Sequence, residues 1–256
     1  MLRFPHAKIN LGLQVIRRRE DGFHDLETCF YPVPELCDAL ELLPAPAFSD
    51  LHIYGMSWTE SRESNLVWKA MELFRREEID IPEIDWHLQK RIPAGAGLGG
   101  GSSDAAFALR MLAELAGWKP DDERLHKMAA ALGSDCAFFL QDKPMLGSGR
   151  GEILEPFSVD LSAFEIRFIL PGIHISTARA FAGIQPRLPE TSLTEVLTSP
   201  VENWKDNLKN DFEESLFPQF PELREAKQKL YADGAVYASM SGSGSALYGL
   251  FRKENS

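Results

Sequence analysis

PAGAGLGGGSSDAA, Pro93 to Ala106, decides how this chain is read, because five of the seven residues from Gly95 to Gly101 are glycine and an apolar-periodic segment follows at once. Glycine lacks a Cβ and turns freely through positive φ, so successive N–H groups in such a run can converge on one anion. Ser102 or Ser103 is expected to cap a helix whose apolar residues Ala105, Leu109, Leu112 and Ala116 repeat at spacings of four and three, with Gly117 closing it. The positive end of that helix would face the same point, which suits a phosphate better than a mobile glycine turn would explain the pattern.

Two other phosphate loops are compatible with parts of the run. Gly95, Gly100 and Ser102 match the spacing of a Walker A loop, but Gly101 stands where that loop needs lysine. Gly95, Gly97 and Gly100 also satisfy G-x-G-x-x-G, which would permit a nicotinamide-dependent oxidoreductase. The preceding WHLQKRI alternates Trp86, Leu88 and Ile92 with polar residues, however, unlike a buried parallel strand, and the acidic residue that should read the ribose falls inside the helix.

The chain has 256 residues, 44% hydrophobic and 25% charged, enough for a substantial core or two modest domains. Its net charge of −11 argues against a nucleic acid or an anionic membrane as partner. Positive groups must therefore be gathered locally; Arg17 to Arg19 and the pair Lys90 and Arg91 are candidates. Cys29, Cys37 and Cys136 are odd in number and lack metal-ligand spacing, which fits a reducing, cytoplasmic setting. No apolar signal core or bilayer-length run is legible.

From Ala7 to Val15 apolar and polar residues alternate, predicting a half-buried strand whose polar face carries Lys8, Asn10, Gly12 and Gln14. Asp21-Gly22 marks a hairpin, with a return strand over Leu26 to Val33. Helices are expected at about 64 to 77, 102 to 116 and 122 to 132, the last after Lys119-Pro120-Asp121. A hairpin over Gly147 to Pro156 is the expected boundary, giving domains 1–156 and 157–256. Beyond it come a strand near Glu165 to Leu170, a Pro- and Thr-rich stretch to about Pro200, helices near 201 to 216 and 221 to 232, and two strands around the small-residue loop Ser241 to Ser245. That loop is either a second anion contact or an ordinary hairpin turn.

Phosphoryl transfer needs a cation over the phosphates and a group that orients or deprotonates the acceptor. Lys8 on the first strand and Asp135, in LGSDCAFFL, are candidates, although a solvent-facing lysine and a capping aspartate are the ordinary readings of such residues. AKINLGLQV, DGFHDLET, ESNL at Glu63 to Leu66, the triple glycine before Ser102-Ser103-Asp104, LGSDCAFF and MSGSGSALYGLF occur in an order that resembles the GHMP kinases. Within that superfamily the combination is similar to the small-alcohol kinases of the non-mevalonate isoprenoid route.

The resemblance implies an α+β, two-domain GHMP kinase, with an N-terminal domain like that of ribosomal protein S5 and a C-terminal ferredoxin-like domain. It implies ATP as co-substrate, with Mg2+ carried by the nucleotide and no protein residue assigned to the metal. The substrate it implies is a small molecule bearing a cytidine diphosphate group. Asp135 would be the base and Lys8 would keep it ionised, while Asn10 would bond near the acceptor. Phe23, where the family usually has tyrosine, would sandwich the cytosine with Phe181, and His24 would read its edge; Thr177, Gly242 and Gly244 would face the substrate side. Asn65 and Lys90 would lie near adenine, and Pro93, Gly95, Gly97, Leu98, Gly99, Gly100, Gly101, Ser102 and Ser103 would wrap the phosphates. Cys136-Ala137 departs from the Val-Pro usual after the aspartate, without removing a catalytic group. A homoserine- or mevalonate-type kinase and a catalytically silent relative are the remaining readings.

Overall fold

The computed structural model describes residues 1–56, 61–77, 79–119 and 123–253. In chain order the elements are β1 (Leu2–Arg3), β2 (His6–Arg18), β3 (His24–Cys37), β4 (Ala39–Pro44), β5 (Asp50–Tyr54), α1 (Leu66–Arg76), β6 (Ile84–Gln89), α2 (Gly100–Leu115) and α3 (Glu123–Leu132). They continue with β7 (Met145–Ser148), β8 (Ile153–Pro156), β9 (Phe164–Ile169), α4 (Thr177–Ala182), α5 (Leu193–Thr198), α6 (Trp204–Asn207), α7 (Asp211–Leu216), α8 (Pro221–Ala232), β10 (Tyr237–Met240) and β11 (Leu247–Arg252).

Contacts divide the chain into two compact units that do not follow chain order. The first holds Met1–Ala7, Val33–Ala94 and Gly99–Asp142, and the second Lys8–Pro32, Gly95–Leu98 and Lys143–Ser256. The expected division at 156 therefore differs from these units: residues 143–156 belong to the second, because β7 pairs with β3 through Thr28↔Gly147 and Cys29↔Leu146, and β8 pairs with β7.

In the first unit a mixed sheet of order β1-β4-β6-β5 lies against helices. β4 and β6 are antiparallel, with Leu40↔Leu88 and Leu42↔Trp86, while β5 runs parallel to β6. The polar–apolar alternation of β6 follows from this, since Ile84, Trp86 and Leu88 are buried and the residues between them are half-buried or exposed. α1 begins after Asn65, whose Oδ1 accepts from the Val67 amide at 2.9 Å, and it buries Val67, Ala70, Met71 and Phe74 at helical spacing. Phe74 is fully enclosed, so Phe74→Ala should cost about 3–5 kcal/mol. α2 is buried on most of its surface and closes at Gly117, as the sequence predicts. From α2 the chain enters α3 and not a further parallel strand, so the frame that G-x-G-x-x-G requires for a dinucleotide is not built.

The second unit carries two sheets, β2-β3-β7-β8 and β10-β11-β9. Leu13, Val15, Ala180, Phe212, Leu216, Leu223, Leu230, Met240 and Leu247 belong to one core cluster. β11 is antiparallel to both β10 and β9, burying Tyr237, Ala238, Tyr248 and Leu250.

Several sequence expectations need correction. The polar face of β2 is buried as well as the apolar one: Lys8 and Asn10 are 3% and 2% exposed, because each finds hydrogen-bond partners inside the unit. Within the Pro- and Thr-rich stretch before Pro200, Ser176 and Ser192 cap the short helices α4 and α5. The helix expected over 201–216 is interrupted where Leu208 is extended, its carbonyl accepting from the Tyr237 hydroxyl. α2 starts two residues earlier than Ser102, and neither serine caps it. The expected start of the third helix at about residue 122 lies outside the described residues.

Candidate active site

The glycine run is shaped by alternation. Gly95, Gly97 and Gly99 have φ of 66°, 79° and 73°, with Ala96 and Leu98 turned into the protein between them. Gly97 is fixed most tightly. A Cβ there would stand 2.0 Å from the Ser241 carbonyl oxygen, so no other residue fits at this φ. Its own carbonyl accepts from Lys8 Nζ and Ser241 Oγ, both at 2.9 Å. The Lys8 amide donates to the Leu98 carbonyl at 3.0 Å, and Ala246 donates to Ala96, so β2 and the β10–β11 loop grip the run from two sides.

Lys8 Nζ also donates to Asn10 Oδ1 at 2.6 Å and lies 5.4 Å from the centre of the Phe30 ring. Asn10 is oriented in turn, its Nδ2 donating to Thr28 Oγ1 at 2.9 Å and its carbonyl accepting from the Tyr248 hydroxyl at 2.8 Å. Burying an ammonium without such oxygens would cost several kcal/mol, so this network holds both the lysine and the loop. Thr28 and Tyr248 escaped the sequence reading because they meet Asn10 only through long-range packing. Asn210 had a signal, an Asn-Asp pair opening a helical segment. It caps α7 and also donates to the Met240 and Gly242 carbonyls at 2.8 and 2.9 Å, pinning the second small-residue loop, in which Gly242 and Gly244 have positive φ.

In the first unit, Gly99 precedes α2 in the left-handed conformation and its carbonyl accepts from the Ser103 amide at 2.9 Å. The first turn has no side-chain cap, which presents its amides to an acceptor from outside the helix. Gly100 is buried, Gly101 exposed and Ser102 half-buried, while Ser103 points inward with no solvent exposure. Pro93 is half-buried ahead of the turn.

Lys90, expected near an adenine, has its ammonium enclosed between Asp38 Oδ2 and Asp104 Oδ2, the latter at 2.6 Å. Asp38 Oδ1 also accepts from the amides of Arg91 and Ile92 at 2.5 and 2.9 Å. Burial works against the charge on Lys90, but the two carboxylates outweigh it and hold the ammonium above its ordinary pKa. Asp104 is pushed up to about 7, chiefly by burial, with Lys90 opposing and Asp38 adding repulsion. Asp38 was missed, and its signal was a lone aspartate at the junction of β3 and β4. Asn65 is likewise engaged, as the cap of α1.

Asp135 is half-buried in the turn after α3. Its neighbour Cys136 is buried beside the Ser102 hydroxyl, and burial pushes the thiol up to about 12, so it is an inert packing group at this departure from the family pattern. The contact between Cys136 and Ser102 sets the Asp135 turn against the start of α2.

Of the residues expected to meet a cytosine, His24 stacks on Phe181, ring centres 4.8 Å apart and 17° from parallel. Phe181 meets Phe212 edge-on at 4.9 Å. Phe23 sits in the turn ahead of β3, 54% exposed, with the Arg150 guanidinium 4.9 Å from its ring centre. Burial, followed by the charge of Arg18, lowers the pKa of His24 and favours a neutral imidazole. Thr177 is exposed at the first position of α4.

The model for the GHMP kinases N terminal domain matches residues 65–143, and that for the GHMP kinases C terminal matches residues 193–256. The chain is 49% identical over 254 residues to a 4-diphosphocytidyl-2-C-methyl-D-erythritol kinase of Azobacteroides pseudotrichonymphae, covering 99% of this chain and 94% of the relative. It is also 49% identical over 257 residues to the Bacteroides thetaiotaomicron protein of that name, covering 99% and 93%. A crystal structure of 4-(cytidine 5'-diphospho)-2C-methyl-D-erythritol kinase superposes with a TM-score of 0.82 at 35% identity, over 98% of this chain and 90% of that one. The homoserine kinase of Cytophaga hutchinsonii shares the fold, with a TM-score of 0.67 at 16% identity over 97% and 85% of the two chains. Among the described residues no helix is long and apolar enough to cross a membrane.

Proposed function

Since the chain belongs to the GHMP kinases, and among them to the family of the 4-diphosphocytidyl-2-C-methyl-D-erythritol kinases, we propose that it transfers the γ-phosphoryl group of ATP to the 2-hydroxyl of 4-diphosphocytidyl-2-C-methyl-D-erythritol. The products are the 2-phosphate and ADP, a step of the non-mevalonate route to isopentenyl diphosphate. The observation that carries this reading is 49% identity to a kinase of that name over an alignment that spans 99% of this chain.

In the reaction the substrate oxygen bonds to the γ-phosphorus, the bond from that phosphorus to the bridging oxygen of ADP breaks, and the hydroxyl proton passes to Asp135. Lys8, fastened to Gly97, supplies positive charge for the carboxylate and the transferring group. The uncapped first turn of α2 and the amides of the glycine run supply donors to the phosphates. Mg2+ arrives with ATP and offsets phosphate charge when bound. Asp104 is already committed to Lys90, which leaves the Ser102 hydroxyl as the side chain at the helix start best suited to a hard cation. The neutral His24 ring, backed by Phe181, offers a flat face and a hydrogen-bonding edge to the cytosine, with Thr177 nearby in sequence on α4.

A coupled assay should show turnover of the cytidyl substrate and none of mevalonate or homoserine; the reverse outcome removes the specificity. Asp135→Asn should lower kcat by about 10² to 10⁴-fold while an ATP analogue still protects the protein from heat. Full activity in that variant removes Asp135 from the mechanism.

A further inference from the structure

The sheet of the first unit carries a side-chain cluster that the kinase reaction does not use. β5 and β6 run parallel in a register that sets His52 opposite His87, and Asp85 lies two residues before His87, on the same face of β6. His52 Nε2 is 2.9 Å from Asp85 Oδ1, and His87 Nε2 is 3.4 Å from Asp85 Oδ2. The imidazole rings stack with centres 4.9 Å apart and 21° between their planes. One donor atom from each of the three residues lies within 4.8 Å of the others. Donors around a tetrahedral Zn2+ with bonds near 2.0–2.1 Å are separated by about 3.3 Å, so small rotations of these side chains suffice to enclose an ion.

We propose that His52, Asp85 and His87 form a binding site for a borderline divalent cation of the Zn2+ type. Two imidazole nitrogens and one carboxylate oxygen suit such a metal far better than Mg2+, which demands oxygen ligands. Tyr54, two residues beyond His52, orients the second imidazole: its hydroxyl is 2.9 Å from His87 Nδ1, so a proton on Nδ1 donated to the phenol oxygen leaves the Nε2 lone pair turned toward Asp85. The nearby Asp50 is held by Arg62 at 2.6 Å and does not compete for the ion. The three side chains are 42%, 34% and 29% exposed, which leaves the remaining coordination positions to water. β5 is the edge strand of its sheet, so the ion would tie that edge to β6.

The test is calorimetric titration of the full chain, without a polyhistidine tag and stripped with EDTA, with zinc chloride in the absence of nucleotide. The expected result is one equivalent bound per chain and a rise in Tm with zinc. His52→Gln and His87→Gln should each weaken binding at least 100-fold, and Tyr54→Phe about tenfold. Failure of the parent chain to bind, or unchanged stoichiometry and affinity in the His52→Gln/His87→Gln double variant, overturns the site. X-ray absorption of the zinc-loaded parent chain decides the matter even if the variants fold poorly. Two imidazole nitrogens in its shell support the site, whereas sulfur ligands or an all-oxygen shell overturn it.

Discussion

Among the described residues two lysines are enclosed, and their surroundings differ. Lys90 lies between the carboxylates of Asp38 and Asp104, at the centre of a charge cluster that joins the β3–β4 junction to α2. Lys8 donates to a side-chain amide and to a peptide carbonyl of the glycine run. Losing the first cation leaves two carboxylates facing each other in the interior. Losing the second unfastens a loop. The oxygens around a buried ammonium, more than its burial, decide what its removal leaves behind.

The largest effect on folding is expected for Lys90→Met, about 3–5 kcal/mol in a denaturant titration, with part recovered when Asp104→Asn is added. Lys8→Met should cost less, about 1–3 kcal/mol for the acceptors it deserts, and should lower turnover by about 10² to 10³-fold. Equal destabilisation by the two substitutions, or full activity without Lys8, would erase the contrast. Phe181→Ala should raise KM for the cytidyl substrate three- to tenfold, about 0.5–1.5 kcal/mol of ring stacking, with kcat nearly unchanged. An altered kcat with constant KM would move Phe181 out of base recognition.

The smallest effect concerns pH. The folded pKa of Asp104, about 7, lies above its value in an open chain, so the folded protein holds that proton more tightly. The stability this contributes is complete below about pH 4 and disappears as pH rises to 7 and beyond. Asp104→Asn, which keeps a neutral side chain beside Lys90 and Asp38, should flatten that slope by a few degrees in Tm between pH 5 and 8. A slope identical to that of the parent would show that Asp104 does not titrate in this range.

The parts legible from sequence were those governed by local rules. The glycine-to-helix transition, the hairpin at Asp21-Gly22, the two closing strands and the alternation of β6 each follow from neighbouring residues, and all are present. What failed depended on partners distant along the chain. The polar face of β2 read as solvent-facing because Gly97 and Thr28, which satisfy it, lie far from Lys8 and Asn10 in sequence. The ion pair of Lys90 was not legible because Asp38 is 52 positions away. Ser102 and Ser103 read as caps because serine usually is one; a left-handed Gly99 begins the helix before either is reached.

Gly97 receives one bond from residue 8 and another from residue 241, separations of 89 and 144 positions. A chain under synthesis possesses its first anchor long before its second. The glycine bend is thus completed by a segment made 144 positions after it, and a product stopped short of β10 would contain the entire glycine run without its finished contour.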